Sequence, residues 1–254
     1  MALYRTEAIV LGYRNLGEAD KILTLFSPDK GKIHAVARGV RRPRNPLLGG
    51  SQLFSYSNFL IMEGRNLDNI SQCEIKESFY KIRQKLEPMS YGLYFAELLR
   101  ASTPMEDKNR ELFRFFLKTM YVLQDWQNLE ILSRIYEIKL MAIQGFKPEI
   151  QNCVECGERV QNKVFFSASM GGVLCSSCFQ RDKHSVTIAP ETLIVLKNML
   201  IGTYEELMGI QVKDHVLKEL ENISKHFISY HIDRKLKTTE FIKDVNRLKV
   251  NRGL

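Results

Sequence analysis

No apolar run in this 254-residue chain approaches the ~20 residues that a membrane-spanning helix needs. The opening residues, MALYRTEAIVLGYRN, are interrupted by Arg5 and Glu7 and lead to no small-residue cleavage site, so no secretory leader and no membrane association are expected. The expectation is a cytosolic protein, in which thiols stay reduced. Signatures of catalysis are missing as well. There is no G-x-x-x-x-G-K-[ST] loop, no G-x-G-x-x-G, no G-x-S-x-G and no H-E-x-x-H. The histidines, His34, His184, His215, His226 and His231, show no ligand or nucleophile spacing. Bond-making chemistry is therefore not expected, and a binding protein is. Acids are the scarcer charge, 29 against 37 Lys and Arg, which leaves a net +8 and a pI of about 9.2. That balance favours a polyanionic partner. A hydrophobic fraction of 44% and a charged fraction of 26% are those of a globular protein with a sizeable core.

Residues 1–80 read as strands. TEAIVLGYR, KILTLFS, GKIHAVARG, SQLFSYSNFLIME and LDNISQCEIKES are short runs rich in Ile, Val, Leu, Phe and Tyr. They are separated by turn residues in NLGEAD, SPDKG, RPRNPLLGG and EGRN. Five strands with no helix between them suit a closed five-stranded barrel. The OB-fold is the leading arrangement and an SH3-like barrel the competing one. From residue 81 the period becomes helical. YGLYFAELLRAS, ELFRFFLKTMYVLQDW, NLEILSRIYEIKLMAIQGF, APETLIVLKNML and VKDHVLKELENISKHFISYHI place apolar residues at helical spacing, as expected of a bundle over 81–254. Gly145 and Pro148 are expected to stop the third of these helices. The fold class is α+β, an N-terminal OB-fold barrel followed by a helical domain.

An island at about 149–180 interrupts the helical pattern. It reads CVECGERVQNKVFFSASMGGVLCSSC, with Cys153, Cys156, Cys175 and Cys178 in two C-x2-C pairs. Eighteen residues lie between the pairs, which is zinc-site spacing. Two residues between cysteines let both thiolates reach one ion, and two such knuckles complete a tetrahedron. Gly157 and Gly171–Gly172 supply sharp turns beside the knuckles. Four thiolates leave no open coordination position, so one structural Zn²⁺ per chain is expected, in a four-cysteine zinc finger inserted in the helical domain. Redox C-x-x-C motifs would want a βαβ context that is absent, and iron–sulfur ligation suits this spacing less well. The fifth cysteine, Cys73, lies alone in a strand and is expected to behave as a small buried hydrophobe.

The run KGKIHAVARGVRRPRNP contains Lys30, Lys32, Arg38, Arg41, Arg42 and Arg44 and no acid. The plain reading is a solvated loop. Against it, the run lies at a strand end of a barrel class that binds oligonucleotides, and it is rich in arginine, whose fork suits phosphate. Gly39, Pro43 and Pro46 would shape such a loop. Other uses of the same surface are an RNA-binding OB-fold and zinc protein of translation or RNA processing, or a scaffold for an acidic protein.

The stretch AIVLGYRNLGEADKILTLFSPDKGKIHAVARGVRRPRN resembles the N-terminus of the RecO family of bacterial DNA repair proteins. The matching residues are Arg14, Gly17, Glu18, Asp20, Lys21, Gly31, Lys32, Ala37, Arg38, Gly39, Arg41 and Arg42. The GGVLCSSC ending of the cysteine island matches as well, and the order of segments agrees along the whole chain. The resemblance implies a recombination mediator of the RecF pathway, cytoplasmic and associated with the nucleoid. It implies binding to single- and double-stranded DNA, annealing of complementary strands, and work with RecR to load RecA filaments onto DNA coated by single-strand-binding protein. Some family members lack the cysteines, which implies a scaffolding metal. Carried over to this chain, Lys30, Lys32, Arg38, Arg41, Arg42 and Arg44 are candidate phosphate contacts, with Arg14 and Lys21 behind them. Arg14, Glu18 and Asp20 are alternatively a structural ion-pair set at the first turn. Tyr13, Phe26, Phe54, Tyr56 and Phe59 are candidates for base stacking, with barrel core as the alternative. The tail from Asp233 to Leu254, with seven bases against three acids, is expected to be a solvated end that adds little to the basic surface.

Overall fold

The computed structural model describes residues 2–161, 163–232 and 234–252, with the side chains of 249–252 outside the description. Strands β1 (Leu3–Leu16), β2 (Asp20–Ser27), β3 (Gly31–Ala37), β4 (Tyr56–Met62) and β5 (Asp68–Glu77) close into a barrel in the order β1-β2-β3-β5-β4. All neighbours are antiparallel except β3 and β5, which meet in parallel at Ala35–Asp68 and Val36–Asn69. That parallel closure decides for the OB arrangement over the SH3-like one. The strand period of two sends Ala8, Val10, Leu23, Leu25, Ile33, Ala35, Phe59 and Ile61 into the barrel core.

Helices explain why the strands look apolar on both faces. Phe26 and Tyr56 point outward, and each ring meets Phe113, at centroid distances of 5.9 and 6.1 Å. Phe113 lies on α3 (Arg110–Leu123), which follows α1 (Tyr80–Gln84) and α2 (Leu86–Ser102). Asn109 starts α3 by accepting the Leu112 N–H at 2.8 Å. Gly31 permits the close approach of the chain before α3. Its φ is +65°, and a Cβ there would stand 2.2 Å from the Asp107 carbonyl oxygen. The fourth strand begins at Tyr56 rather than at Ser51. Residues 51–55 turn instead, because they serve β1 where its register shifts between Val10 and Gly12. The Phe54 N–H donates to the Val10 carbonyl at 2.8 Å, and the Val10 N–H donates to the Ser55 carbonyl at 3.1 Å.

The chain then runs through α4 (Leu129–Ile143), the small sheet β6 (Val164–Ser167), β7 (Gly172–Leu174) and β8 (Val186–Ile188), and helices α5 (Pro190–Ile201), α6 (Tyr204–Leu207), α7 (Asp214–His231) and α8 (Thr238–Arg252). Packing divides it into two compact units, residues 1–125 with 236–254, and residues 126–235. The change from strand to helix near residue 80 is therefore not where the packing divides. Helices α1–α3 belong with the barrel, and α8 returns to them by packing on α2. From Thr238 to Arg252 the tail is thus a helix packed on α2 rather than a solvated end, and Asp233, Gly253 and Leu254 lie outside the described residues. Its N-terminus is held by Glu97 of α2, whose carboxylate accepts the Thr238 N–H at 2.9 Å and the Thr238 hydroxyl at 2.6 Å. In the second unit α4, α5 and α7 pack on one another. No helix among the described residues is long and apolar enough to cross a membrane.

Candidate nucleic-acid interface and metal centre

The basic run is contiguous in sequence but not in space. Strand β3 has seven residues, Gly31–Ala37. At ~3.3 Å per residue it separates its two ends by about 20 Å. Lys30 precedes the strand, and its ammonium sits 4.5 Å from the centroid of the Tyr4 ring. The neighbouring Asp29 is paired with Arg110 of α3 at 2.6 Å. Arg38, Arg41, Arg42 and Arg44 follow the strand, at the end shared with the β1–β2 turn.

Lys32 requires a correction. It is only 8% exposed. Its ammonium donates to the Arg100 carbonyl at 2.7 Å and also to the Thr103 carbonyl. Those are carbonyls at the C-terminal end of α2, which have no partners within the helix and carry its negative dipole end. Lys32 fastens α2 to the barrel and has no route to a phosphate.

The other end of β3 is built differently. Arg14, Arg38, Arg41, Arg42 and Arg44 are exposed and Lys21 is half-buried. The loop that carries four of them is fixed to the β1–β2 turn. The Gly39 N–H donates to Asp20 Oδ1 at 2.7 Å, the Arg41 N–H to the Ala19 carbonyl at 2.9 Å, and Arg41 Nη1 to the Gly17 carbonyl at 3.2 Å. Asn45 closes the loop on itself, with Nδ2 donating to the Arg38 carbonyl at 3.1 Å and Oδ1 accepting the Leu47 N–H at 2.8 Å. Arg44 adopts a left-handed φ of 63°, a conformation that costs a side-chain-bearing residue about 1–2 kcal/mol. Arg38 Nε donates to Asn69 Oδ1 at 3.1 Å, across 31 residues of sequence. Partial burial, and then the Arg41 charge, lower the Lys21 pKa.

Arg14, Glu18 and Asp20 form no ion-pair set among the described residues. Asp20 instead anchors the loop through Gly39. This buttress was not legible in the sequence, since nothing there couples Asp20 to Gly39 or Asn69 to Arg38. Of the aromatic candidates, Phe26, Phe54 and Phe59 are fully buried and Tyr56 nearly so. Tyr13 alone is exposed, with Lys21 Nζ 3.9 Å from its ring centroid.

The four island cysteines come together, with all four Sγ atoms within 4.8 Å of one another. Cys156 Sγ and Cys175 Sγ are 3.8 Å apart, the edge of a tetrahedron of about 3.8 Å that four thiolates at ~2.3 Å from zinc would form. Each knuckle closes as a tight turn, the Gly157 N–H donating to the Cys153 carbonyl at 2.9 Å and the Cys178 N–H to the Cys175 carbonyl at 3.1 Å. Gly172 lets the two limbs touch, since a Cβ there would lie 2.4 Å from the Glu149 carbonyl oxygen. Burial pushes the Cys153 thiol up, but backbone N–H groups of Cys156, Cys175 and Glu155 outweigh it and bring it down to about 6. Burial and then the neighbouring thiols push Cys178 up to about 12. Four thiols this close ionise together only when a cation joins them, so the donor set fits a soft divalent metal. Cys73 is half-buried and packs against the barrel core, as a small hydrophobe does.

Two family profiles together account for most of the chain. The one described as recombination protein O N terminal matches residues 1–79, and the one described as recombination protein O C terminal matches residues 83–240. The chain belongs to the RecO family. Among curated RecO relatives, each named DNA repair protein RecO, that of Acetivibrio thermocellus is 33% identical over 98% of this chain and 100% of its own length. That of Alkaliphilus metalliredigens is 36% identical over 91% and 95%, and that of Desulforamulus reducens 34% over 100% and 99%. The RecO matches cover both the basic barrel and the cysteine island, so the resemblance drawn from the first forty-odd residues extends along the chain.

Proposed function

We propose that this chain acts in DNA repair as a recombination mediator and grips the phosphate backbone at the buttressed end of its barrel. The observation that carries this reading is the anchoring of the loop that bears Arg38, Arg41, Arg42 and Arg44 to the β1–β2 turn, beside the strand-end residues Arg14 and Lys21. Lys30, at the other end of β3, and Lys32, beneath α2, are not part of the grip. Phosphate contacts position a strand without reading its sequence, so single and double strands are both ligands. Two complementary strands repel each other until cations neutralise them. A protein that does so anneals them without making or breaking a bond, and no nucleotide hydrolysis is needed. With RecR, and with single-strand-binding protein on the DNA, the same grip would serve to hand the strand to RecA.

Cys153, Cys156, Cys175 and Cys178 would hold one Zn²⁺. When bound, the ion supplies cross-linking of residues 153–178 and, with its shell closed, no catalytic position.

The test is Arg41→Ala combined with Arg42→Ala, with binding measured by fluorescence anisotropy across a salt series. Affinity should fall about equally for all sequences, and the log–log salt slope should shrink by about 0.7 for each lost contact to a single strand. Annealing, assayed without nucleotide on bare and on protein-coated strands, should fall with it. Lys235→Ala with Lys237→Ala is the control and should do less. Wild-type affinity and slope in the Arg41/Arg42 variant would move the interface elsewhere. Tighter binding to RNA than to DNA of equal sequence would favour a role in RNA processing instead.

A further inference from the structure

The interface proposed above is built of cations, which cannot distinguish a single strand from a duplex. One neighbour among them is not a cation. Tyr13 is 50% exposed, the one exposed Phe, Tyr or Trp ring among the described residues of the barrel strands and their loops. Tyr4 is half-buried and donates its hydroxyl to Asp68, and Phe26, Phe54 and Phe59 are in the core. Among the described residues no hydrogen bond engages the Tyr13 hydroxyl, so the ring is not held there by a polar tie. Its position is set by β1. Tyr13 lies opposite Leu23 of β2, whose side chain enters the barrel core, and Lys21 lies two residues further along the same face. The ring therefore stands at the open end of the barrel, with Lys21 Nζ 3.9 Å from its centroid, while Arg14, one residue on, lies opposite Ile22 on the other face of the strand. Arg41 is fixed across the turn by the Gly17 and Ala19 carbonyls.

We infer that Tyr13 is a stacking platform for an unpaired nucleobase, and that it gives this end of the barrel its preference for single strands. This rests on the interface reading above. A flat, half-exposed ring with a lysine against it and an arginine loop anchored to the adjoining turn matches the two demands of a single strand, a π-face for a base and positive charge for its phosphates. In a duplex each base is already stacked and paired, so only the cations can act on it. The ring accordingly contributes to single-strand binding and not to duplex binding.

The experiment measures anisotropy titrations of the full chain with oligothymidylate, an abasic single strand of equal length and a duplex of equal length. Tyr13→Ala is expected to weaken oligothymidylate binding by about tenfold, the scale of one lost base stack. Affinity for the abasic strand and for the duplex should stay within about twofold, and the salt slope should not change, because no phosphate contact is lost. Tyr13→Phe should behave as wild type. Tyr13→Leu keeps apolar bulk without a flat face and should behave as Tyr13→Ala, which separates stacking from any effect on folding. Paired titrations with oligodeoxyuridine and oligouridine assign the base to DNA, to RNA or to either, and a loss on either sustains the stack. An equal loss on oligothymidylate, the abasic strand and the duplex, or no loss on any base-bearing single strand, overturns the inference. Failure here, with the Arg41/Arg42 variant behaving as expected, leaves the phosphate interface standing. Failure of that variant removes the interface itself.

Discussion

Lys32 and Arg41 carry the same charge nine positions apart, and the structure gives them opposite work. Arg41 is exposed and lies against a turn, whereas Lys32 is buried on two carbonyls at the end of α2. Removing a buried donor strands its acceptors, and that desolvation is costly. Lys32→Ala should therefore lower unfolding free energy by about 2 kcal/mol in denaturant titrations. DNA affinity, measured where the variant is still folded, should match wild type. A phosphate ligand would give the reverse pattern. Nothing local in the sequence separates these two residues. The partners of Lys32 lie 68 and 71 residues away, and composition does not record such distances. The cysteines are the opposite case. Their chemistry is written in a spacing of two residues, so the site was legible before any coordinates.

Elements were legible where one period held for long enough. The five strands and the long helices follow from periods of two and 3.6, since apolar faces must find a core. What the period could not show is how helix ends are satisfied. The residue before α5 is Ala189, which has no capping side chain. Glu219 of α7 serves instead, accepting the Ala189 N–H at 2.8 Å and the Thr192 hydroxyl. Glu97 does the same for α8. Burial alone would raise the Glu97 pKa, but the Thr238 hydroxyl and the Thr238 and Lys237 N–H groups stabilise the charge, and the net shift is downward from 4.5. A depressed carboxylate contributes stability above its ordinary pKa and loses it as pH falls through the lower, folded value. Glu97→Gln should thus cost about 1 kcal/mol at neutral pH, the worth of a helix cap. The difference from wild type should fade as pH drops below 4.5, which thermal melts at a series of pH values would record. A difference that persists unchanged into acid would mean that the charge on Glu97 does not matter.

At the scale of the molecule, the cysteine cluster and the basic loop belong to different units. The cysteines lie within 126–235, while the basic loop lies within the unit formed by 1–125 and 236–254. Removing the metal with a chelator, or replacing Cys175 with Ser, should speed hydrogen exchange over 150–180 and abolish stoichiometric zinc in elemental analysis. The barrel's exchange protection and its affinity for DNA should remain. Protein purified without chelator that holds no zinc would sink the assignment. The division itself was hidden from sequence reading, which joined all the helices into one bundle because they share a period. Only contacts between distant segments reveal that α1–α3 and α8 side with the barrel. The return of α8 also has a consequence for synthesis. Glu97 and the threonine it caps are 141 residues apart. At a ribosomal rate of ~5–20 residues per second, that carboxylate waits roughly 7–30 s for its helix. The unit that carries the basic loop is thus the first to be started and the last to be finished, and the whole cysteine-bearing unit leaves the ribosome before it can close.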